Sequence, residues 1–277
     1  MRLTMKGEGF KRLNELTETA IENQPDLKIV IRGIDPVWFT TNAEYQGYES
    51  YPEYLYNNNI WDDMEYLLNG EVVVNRVFPQ VVRTLAKIPA KSFDDYLTLN
   101  AGNAEAVVRQ FSRTGIEKSI VTEEETRMYV EQLMQNLDVN VVPVVEQNPE
   151  ITFYFFFPPY SIFWWDDLRL RGEDVLERRL LLERLVIERL LPYDNVKLFS
   201  FNANEEWICD LDHYMDNIHY SKEASDDILQ WMANEEYLLT KENYKEYIQK
   251  TNNFFTTFDY NAYYENILKK VQTSSNE

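Results

Sequence analysis

Apolar residues recur along the chain with two spacings, and together these predict an α/β fold. Residues 27–31, 151–157 and 195–201 form short, nearly continuous apolar runs of strand length. Strands that are apolar on both faces are typical of a parallel sheet covered by helices. Between the runs, apolar residues recur at helical spacing, most clearly over residues 174–191, which Pro192 ends. This alternation predicts a flavodoxin-like, doubly wound parallel sheet.

Local signals place the ends of several elements. Residues 2–6 read as a weak strand before an amphipathic helix over residues 10–23, and with the strand at 27–31 they predict a β–α–β unit. Thr122 and Ser221 each stand where a helix N-cap is expected, the latter before a helix that runs to about Ala233. The charged residues of the 174–191 helix are predicted to form a solvated face.

Two stretches depart from the strand and helix alternation. Residues 37–119 are rich in Tyr, Asn, Glu and Pro and are predicted to be a mostly helical insertion, with helices near residues 60–69 and 74–86. Its tyrosines could stack on sugar rings. The favoured interpretation is that their rings are half-buried by packing while their hydroxyl groups contact water. Residues 234–277 are predicted to be a helical tail. The whole chain, residues 1–277, is predicted to be a single α/β domain.

Composition narrows the range of partners. The formal net charge of −20 argues against binding to nucleic acid, whose phosphates would be repelled, and disfavours anionic lipid surfaces. No apolar run approaches the 18 or so residues that a membrane-spanning helix needs. A single cysteine excludes an internal disulfide framework and a cysteine-rich zinc site. No cofactor is predicted.

Residues 208–221, ICDLDHYMDNIHYS, contain most of the chemically active side chains. Both histidines, His213 and His219, and the sole cysteine, Cys209, lie here. Asp216 and His219 have the spacing of a carboxylate that orients an imidazole base, and the alternative is an incidental pair at a helix start. His213 is predicted to be a loop residue, and the acidic neighbours of Cys209 argue against a thiolate nucleophile. The spacing matches no strong metal motif, so no metal site is predicted.

The segments RLTMKGEGFKRL, KIVIRGIDPVWF, ITFYFFFPPYS and DLDHYMDNIHYS, taken in this order, resemble the SGNH (GDSL-like) hydrolase and acetyltransferase superfamily. The likeness is to its extracytoplasmic bacterial branch, which includes the D-alanyl transfer protein of teichoic acid and polysaccharide O-acetyltransferase-like proteins. The resemblance implies that His219 and Asp216 are catalytic and that the Gly7 amide lies in the oxyanion hole. Tyr160 and Ser161 are predicted to contact substrate, and Ser161 is the nearest candidate nucleophile.

The chain departs from the family pattern in two places. The turn at residues 33–36 lacks the Asn of the family's Gly-x-Asn-Asp block, and no Gly-Asp-Ser block is present. The family's serine strand is central, so its absence would leave a slot in the sheet with unpaired backbone groups. We therefore expect either an N-terminally incomplete version of a longer protein, anchored at the extracytoplasmic face of the membrane, or a non-catalytic derivative whose strands close up.

Three hypotheses for function follow. The first is acyl-ester transfer or hydrolysis on a surface polysaccharide or teichoic-acid-like glycan, with a serine that this chain does not supply. The second is a catalytically inactive SGNH-like module that binds glycan or a membrane acyltransferase. The third is an unrelated flavodoxin-like binding domain.

Overall fold

In the part of the chain that the structure describes, the protein has an open α/β sheet in which three of the four strands are parallel. The computed structural model describes residues 9–45, 54, 59–89 and 102–274. Strands Ile29–Gly33 (β1), Thr152–Phe157 (β2) and Val196–Ser200 (β3) pair in chain order and parallel, and Leu238–Leu239 (β4) pairs antiparallel with β3. The three predicted strands are confirmed, and the sheet is compatible with a flavodoxin-like fold. The predicted strand at residues 2–6 lies outside the described residues.

The helices alternate with the strands as the sequence pattern predicts. In chain order they are α1 Phe10–Asn23, α2 Asp63–Leu67, α3 Phe78–Leu85, α4 Ala104–Gln110, α5 Glu123–Asn140, α6 Val142–Gln147, α7 Ile162–Arg171, α8 Glu173–Leu190, α9 Glu205–Cys209, α10 Lys222–Ala233, α11 Tyr244–Thr257 and α12 Tyr260–Ser274. Short 3-10 helices cover Pro36–Thr40, Phe201–Ala203 and Leu211–His213. In the described ranges, no helix combines the length and apolarity needed to cross a membrane.

Side-chain caps confirm two predicted helix starts. The Thr122 hydroxyl accepts a hydrogen bond from the Glu125 amide at 3.0 Å, and the Ser221 hydroxyl accepts one from the Ala224 amide at 3.2 Å. Each cap supplies a partner to an amide that the first helical turn leaves unpaired. Helices α5 and α10 therefore begin where the capping residues place them.

Strand β2 is the central strand of the three parallel ones. Phe153, Phe155 and Phe157 are fully buried on one face, whereas the alternate residues are half-buried on the other. The first face packs against helices α5, α6 and α8 in one hydrophobic core, whose members include Leu133, Leu137, Val142, Val145, Val186 and Ile187. Because successive side chains of a strand point to opposite faces, the phenylalanines of β2 are divided between two hydrophobic cores.

The second core contains α7, a helix that the sequence pattern does not reveal. Its sequence, IFWWDDLRLR, shows no separate polar face, as expected of a helix that is buried over nearly its whole surface. Trp165 stacks on Phe255 of α11 with ring centroids 3.7 Å apart. The buried Asp166 carboxylate is paired with Arg113 at 2.9 Å and Arg169 at 2.7 Å, as a charge in this position requires.

The chain divides into two compact units, Met1–Gln46 with Asn100–Glu277, and Gly47–Leu99. The smaller unit is narrower than the predicted insertion at residues 37–119. Phe39 and Val107, which lie inside that predicted range, are buried in the cores of the larger unit. The described part of the smaller unit contains α2, a π-helix at Glu71–Val77 and α3, so the helices predicted near residues 60–69 and 74–86 are confirmed.

The C-terminal tail, predicted to be helical over residues 234–277, contains α11 and α12 but also β4. The prediction of a helical tail is therefore wrong at Leu238–Leu239. β4 has only two residues, so it carries no period that could mark it in the sequence. It forms because Leu238 and Leu239 pair with Phe199 and Leu198 of β3.

The charged face of α8 is not fully solvated, contrary to the prediction. Glu183 is buried, and its carboxylate accepts hydrogen bonds from the Tyr247 hydroxyl at 2.6 Å and from the Asn202 amide at 3.4 Å. Burial raises the pKa of the Glu183 carboxyl above its ordinary value, although the bonds from Tyr247 and Asn202 act in the opposite direction. The folded protein therefore favours the neutral form of this side chain more than the unfolded chain does.

This raised pKa predicts a specific dependence of stability on pH. Because the folded-state pKa of Glu183 lies above the unfolded value of about 4.3, its contribution to stability is greatest below that value and decreases as pH rises through the folded-state pKa. We expect Glu183→Gln to remove this decrease, so that the variant gains stability relative to the native protein as pH rises. Urea unfolding between about pH 4 and pH 7 measures the difference.

Glu188→Gln is the matched control, because Glu188 lies on the same helix but is exposed and paired only with Arg184 at 3.8 Å. Its stability difference from the native protein should change little over this pH range. If the difference in unfolding free energy between Glu183→Gln and the native protein stays constant with pH, the burial argument is contradicted.

Candidate functional site

The carboxyl ends of β1 and β2 bring two polar side chains together. Asp35 follows β1 and caps the 3-10 helix by accepting a hydrogen bond from the Val37 amide at 2.9 Å. Tyr160 follows β2, and its hydroxyl donates to the Asp35 carboxylate at 2.5 Å. Neighbouring parallel strands end at the same edge of a sheet, which is where α/β folds place their binding sites. We refer to this edge as the carboxyl edge.

Arg179 and Tyr220 complete a polar cluster around Asp35. The Arg179 guanidinium donates to the Pro36 carbonyl, and burial lowers its pKa to about 10, so it stays protonated at neutral pH. Burial and then the Asp35 charge raise the pKa of the Tyr220 hydroxyl to about 12. The same two causes raise the pKa of Tyr160 well above its usual range. Both hydroxyl groups are therefore protonated donors at neutral pH.

The 214–220 loop is fastened to the carboxyl edge by two hydroxyl groups. The Tyr214 hydroxyl donates to the Pro159 carbonyl and the Ser161 hydroxyl to the Asn217 carbonyl, each at 2.9 Å. Within the loop, the Met215 amide donates to the His219 carbonyl at 2.8 Å. These bonds hold the loop in one closed turn next to the end of β2.

Asp216 and His219 form a close pair in this loop. The His219 ring nitrogen Nδ1 lies 2.7 Å from Asp216 Oδ2, while Asp216 Oδ1 accepts from the backbone amides of Ile218 at 2.8 Å and His219 at 2.7 Å. The carboxylate thereby fixes the ring orientation, and Nε2 is the nitrogen that can take up a proton. The His219 side chain is 67% exposed and that of Asp216 is 29% exposed.

The surroundings of Asp216 keep it ionised. Burial disfavours the charge, but the hydrogen bonds from the His219 ring and from the two amides outweigh it and lower the pKa of the carboxyl below its ordinary value. An ionised carboxylate on Nδ1 and an exposed imidazole form the orienter and base of a proton-transfer site. The arrangement predicted for Asp216 and His219 is therefore present, while its catalytic role stays a prediction.

A second Asp–His pair with the same sequence spacing behaves differently. His213 Nε2 lies 3.7 Å from Asp210 Oδ2, too far for a hydrogen bond, and the ring stacks on Trp207 with centroids 4.7 Å apart. His213 ends a short 3-10 helix, so its predicted position in a loop is wrong. The three-dimensional structure, and not the spacing, separates the two pairs.

The other predicted site residues have the following positions. Tyr160 and Ser161 are buried. The Ser161 hydroxyl is engaged with the Asn217 carbonyl and supports the loop, whereas the Tyr160 hydroxyl is engaged with Asp35. Their predicted contact with substrate stays a prediction. Gly7, the predicted oxyanion residue, lies outside the described residues. Burial, and then the Glu205 charge, raises the pKa of the Cys209 thiol to about 12, which makes it a poor thiolate source.

Three residues of the carboxyl edge were not identified from the sequence as site residues. In the sequence, Asp35 is only part of the turn that departs from the family pattern, and nothing distinguishes Tyr220 from any other tyrosine before a helix cap. Arg179 lies in a helix rich in alternating charges, where nothing distinguishes it from solvated neighbours. Only the packing of α8 against the ends of β1 and β2 could identify it.

Within the described ranges, no group of three or more His, Cys, Asp or Glu side chains could hold a metal ion. Comparison with protein-family models, curated proteins and solved structures gives no match. The assignment of the site therefore rests on the geometry of its own residues.

The anchoring role of Ser161 predicts a measurable effect on the loop. Ser161→Ala removes the donor and leaves the Asn217 carbonyl without this partner, which should cost about 1–3 kcal/mol. Amide exchange at Ile218 and His219 should also become faster, because the Asp216 turn loses its support. Chemical unfolding and hydrogen exchange measure the two effects.

Ser225→Ala is the matched control. Its hydroxyl donates to the Ser221 carbonyl at 3.1 Å, but that carbonyl also accepts from the Ser225 amide and keeps a partner after the substitution. We expect a loss below about 0.5 kcal/mol. Equal losses in the two variants, with unchanged exchange in the loop, would show that Ser161 does not anchor it.

Proposed function

We propose that the 214–220 loop is the catalytic loop of an SGNH-like protein that hydrolyses or transfers acyl esters on a bacterial surface polysaccharide. The observation that supports this most directly is the 2.7 Å contact between Asp216 Oδ2 and His219 Nδ1 next to the carboxyl edge of an α/β sheet. The proposed place of action, the extracytoplasmic face of the membrane, follows from the resemblance to the family.

His219 is the general base of the proposed reaction. Its Nε2 takes the proton of an attacking hydroxyl as the oxygen forms a bond to the acyl carbonyl carbon. The protonated imidazole then gives that proton to the leaving alcohol as the ester C–O bond breaks. Asp216 is a positioning residue, since it stays ionised, holds Nδ1 and stabilises the imidazolium.

The attacking hydroxyl must lie within about 3 Å of Nε2. Ser161 is engaged with the Asn217 carbonyl and fully buried, so it does not meet this requirement in the observed conformation. The proposal therefore assigns the hydroxyl to water, to the acceptor sugar or to a serine outside the described residues.

The charge of the protein favours one class of glycan over the other. A net charge of −20 would repel a phosphate-linked polymer such as a teichoic-acid-like glycan. A neutral polysaccharide meets no such barrier. We therefore place an uncharged, acylated surface polysaccharide ahead of a teichoic-acid-like substrate.

The second candidate is the catalytically inactive module that binds glycan or a membrane acyltransferase. Two observations favour it: the engaged hydroxyl of Ser161 and the exposure of Trp61, of which 78% is accessible in the smaller unit. An exposed indole ring offers the flat apolar surface on which sugar rings stack. This candidate requires no reaction at His219.

Hydrolysis of p-nitrophenyl acetate tests the first function. We expect His219→Ala to lower kcat/KM by about 10²–10⁴-fold, the usual contribution of a general base. Asp216→Asn should lower kcat and leave KM unchanged, because Asp216 orients the base and does not contact the ester. His213→Ala is the matched control, since it removes the other histidine of the same spacing, and its activity should stay within about twofold of the native value.

A fluorophosphonate probe with intact-mass measurement identifies the attacking group. Labelling that depends on His219 would identify a serine, whereas hydrolysis that depends on His219 without labelling would identify water or the acceptor. Activity that is insensitive to His219→Ala would contradict the catalytic proposal. In that case, weaker binding of a neutral polysaccharide by Trp61→Ala would support the binding module.

A further inference from the structure

The joint between α2 and the π-helix of the smaller unit contains Asn69 and Gly70, the one Asn-Gly pair in the sequence. Both residues are exposed. A β-carbon added to Gly70 would meet no atom within 4 Å, so nothing in the described residues crowds this side of the glycine. Glycine also leaves its own amide nitrogen unhindered and its backbone freer than that of any other residue. The Gly70 amide is therefore open to reaction.

The Asn69 side chain is folded back onto the backbone in an Asx turn. Its Oδ1 accepts a hydrogen bond from the Glu71 amide at 2.9 Å. The ring that this hydrogen bond closes contains both the Asn69 Cγ atom and the Gly70 nitrogen, so these two atoms are held on the same side of the backbone. The Glu71 N–H also polarises the Cγ=Oδ1 bond, as an oxyanion donor does. The turn therefore prepares Cγ for attack by a neighbouring nitrogen.

The Gly70 amide takes no part in the helix that follows it. Gly70 is the N-cap residue of the π-helix, and the first amides of a helix have no carbonyl partner within it. In the part of the chain that the structure describes, this amide donates no backbone hydrogen bond, whereas the Val73 amide donates to the Asn69 carbonyl at 2.9 Å. Loss of the Gly70 proton therefore breaks no hydrogen bond between described backbone groups.

We propose that Asn69 is a site of spontaneous covalent modification, at which attack by the Gly70 nitrogen converts the asparagine into aspartate and isoaspartate. Hydroxide removes the Gly70 amide proton, and the nitrogen forms a bond to Asn69 Cγ. The bond between Cγ and Nδ2 then breaks, and the leaving nitrogen takes a proton from water and departs as ammonia. The product is a cyclic imide that includes the Gly70 nitrogen.

Water then opens the imide at either of its carbonyl carbons. Cleavage of the bond between the Gly70 nitrogen and Cγ gives aspartate with the original backbone. Cleavage of the bond between that nitrogen and the Asn69 backbone carbonyl carbon gives isoaspartate, in which the chain passes through the former side chain. The net reaction consumes water, releases ammonia and replaces a neutral amide by a carboxylate.

The two products affect the start of the helix differently. Aspartate keeps an oxygen that accepts from the Glu71 amide, and its charge is favourable at a helix N-terminus. Isoaspartate adds a CH₂ group to the backbone and displaces the carbonyl that accepts from the Val73 amide. We therefore expect only isoaspartate to loosen the first turn. This modification is separate from the carboxyl edge and does not depend on the proposed esterase activity.

Peptide mapping by mass spectrometry, after incubation of the native protein in mildly alkaline buffer, tests the proposal. We expect the peptide that contains Asn69 to gain about 1 Da and to separate into aspartate and isoaspartate forms. The rate should rise in proportion to the hydroxide concentration, because the attacking nitrogen must first lose its proton. Hydrogen exchange at the Val73 amide should be faster in the isoaspartate form than in the unmodified protein.

Asn42 is the matched control within the same sample. It is exposed, and its Oδ1 accepts from the Glu44 amide at 2.9 Å in the same kind of turn, but the residue after it is the buried Ala43. We expect Asn42 to react at least about tenfold more slowly than Asn69. Gly70→Ala should slow the reaction at Asn69 by a similar factor.

Gly70→Ala should leave the protein folded, because Gly70 has helical dihedral angles, φ −57° and ψ −36°, and open space around its Cβ position. An acetylated and amidated peptide of sequence EYLLNGEVV gives the rate without the fold, and the rate in the native protein should lie within about tenfold of it. Three results would each overturn the proposal: an unmodified Asn69, equal rates at Asn69 and Asn42, or an unchanged rate in Gly70→Ala.

Discussion

Burial of β2 between two helical layers is the constraint on which the rest of the structure depends. Its phenylalanines alternate between the two cores, and its pairing with β1 and β3 brings three strands into one register. Because the strands run parallel, the chain leaves β1 and β2 at the same edge. That geometry, and no local signal, places Asp35 next to Tyr160 and gives the 214–220 loop a surface on which to close.

Two carboxylates show how burial and hydrogen bonding divide their roles. Glu183 is enclosed in the core, where desolvation outweighs the bonds from Tyr247 and Asn202 and raises the pKa of the carboxyl. Asp216 lies at the surface, where its hydrogen bonds outweigh a smaller desolvation cost and favour the ionised form. An ionised carboxylate orients and stabilises an imidazole base, so the environment of Asp216 favours a role in proton transfer. The environment of Glu183 favours a structural role in the core.

Strand β1 contributes to two different surfaces of the larger unit. Its carboxyl end leads to Asp35 and the polar cluster, while Ile29 and Ile31 lie half-exposed along the strand. Arg32 and Arg179 are both desolvated, and burial lowers the pKa of each to about 10. Arg179 has the nearby Asp35 charge and the Pro36 carbonyl as partners, whereas two donor atoms of Arg32 have no partner among the residues that the structure describes.

Periodicity and capping residues were sufficient to predict the three parallel strands, the starts of α5 and α10 and the long helix α8. These features follow from interactions between residues close in sequence. Helix α7 could not be predicted from periodicity because a helix that is buried on nearly all sides has no alternation of apolar and polar faces. Strand β4 was too short to show a period of two. Both exist only because distant segments pack against them.

The same distinction applies to the candidate site. The sequence identified the segment that contains Asp216 and His219, but Asp210 and His213 have identical spacing. Tertiary structure separated the two pairs, since Trp207 holds the His213 ring by stacking, while the Ser161 hydroxyl and the Pro159 carbonyl after β2 anchor the loop that carries His219. It also buried Ser161, engaged its hydroxyl and brought Arg179 to Asp35. The spacing of two residues in the sequence shows whether their side chains can contact each other locally. Their burial and their hydrogen-bond partners depend on residues that are distant in the sequence.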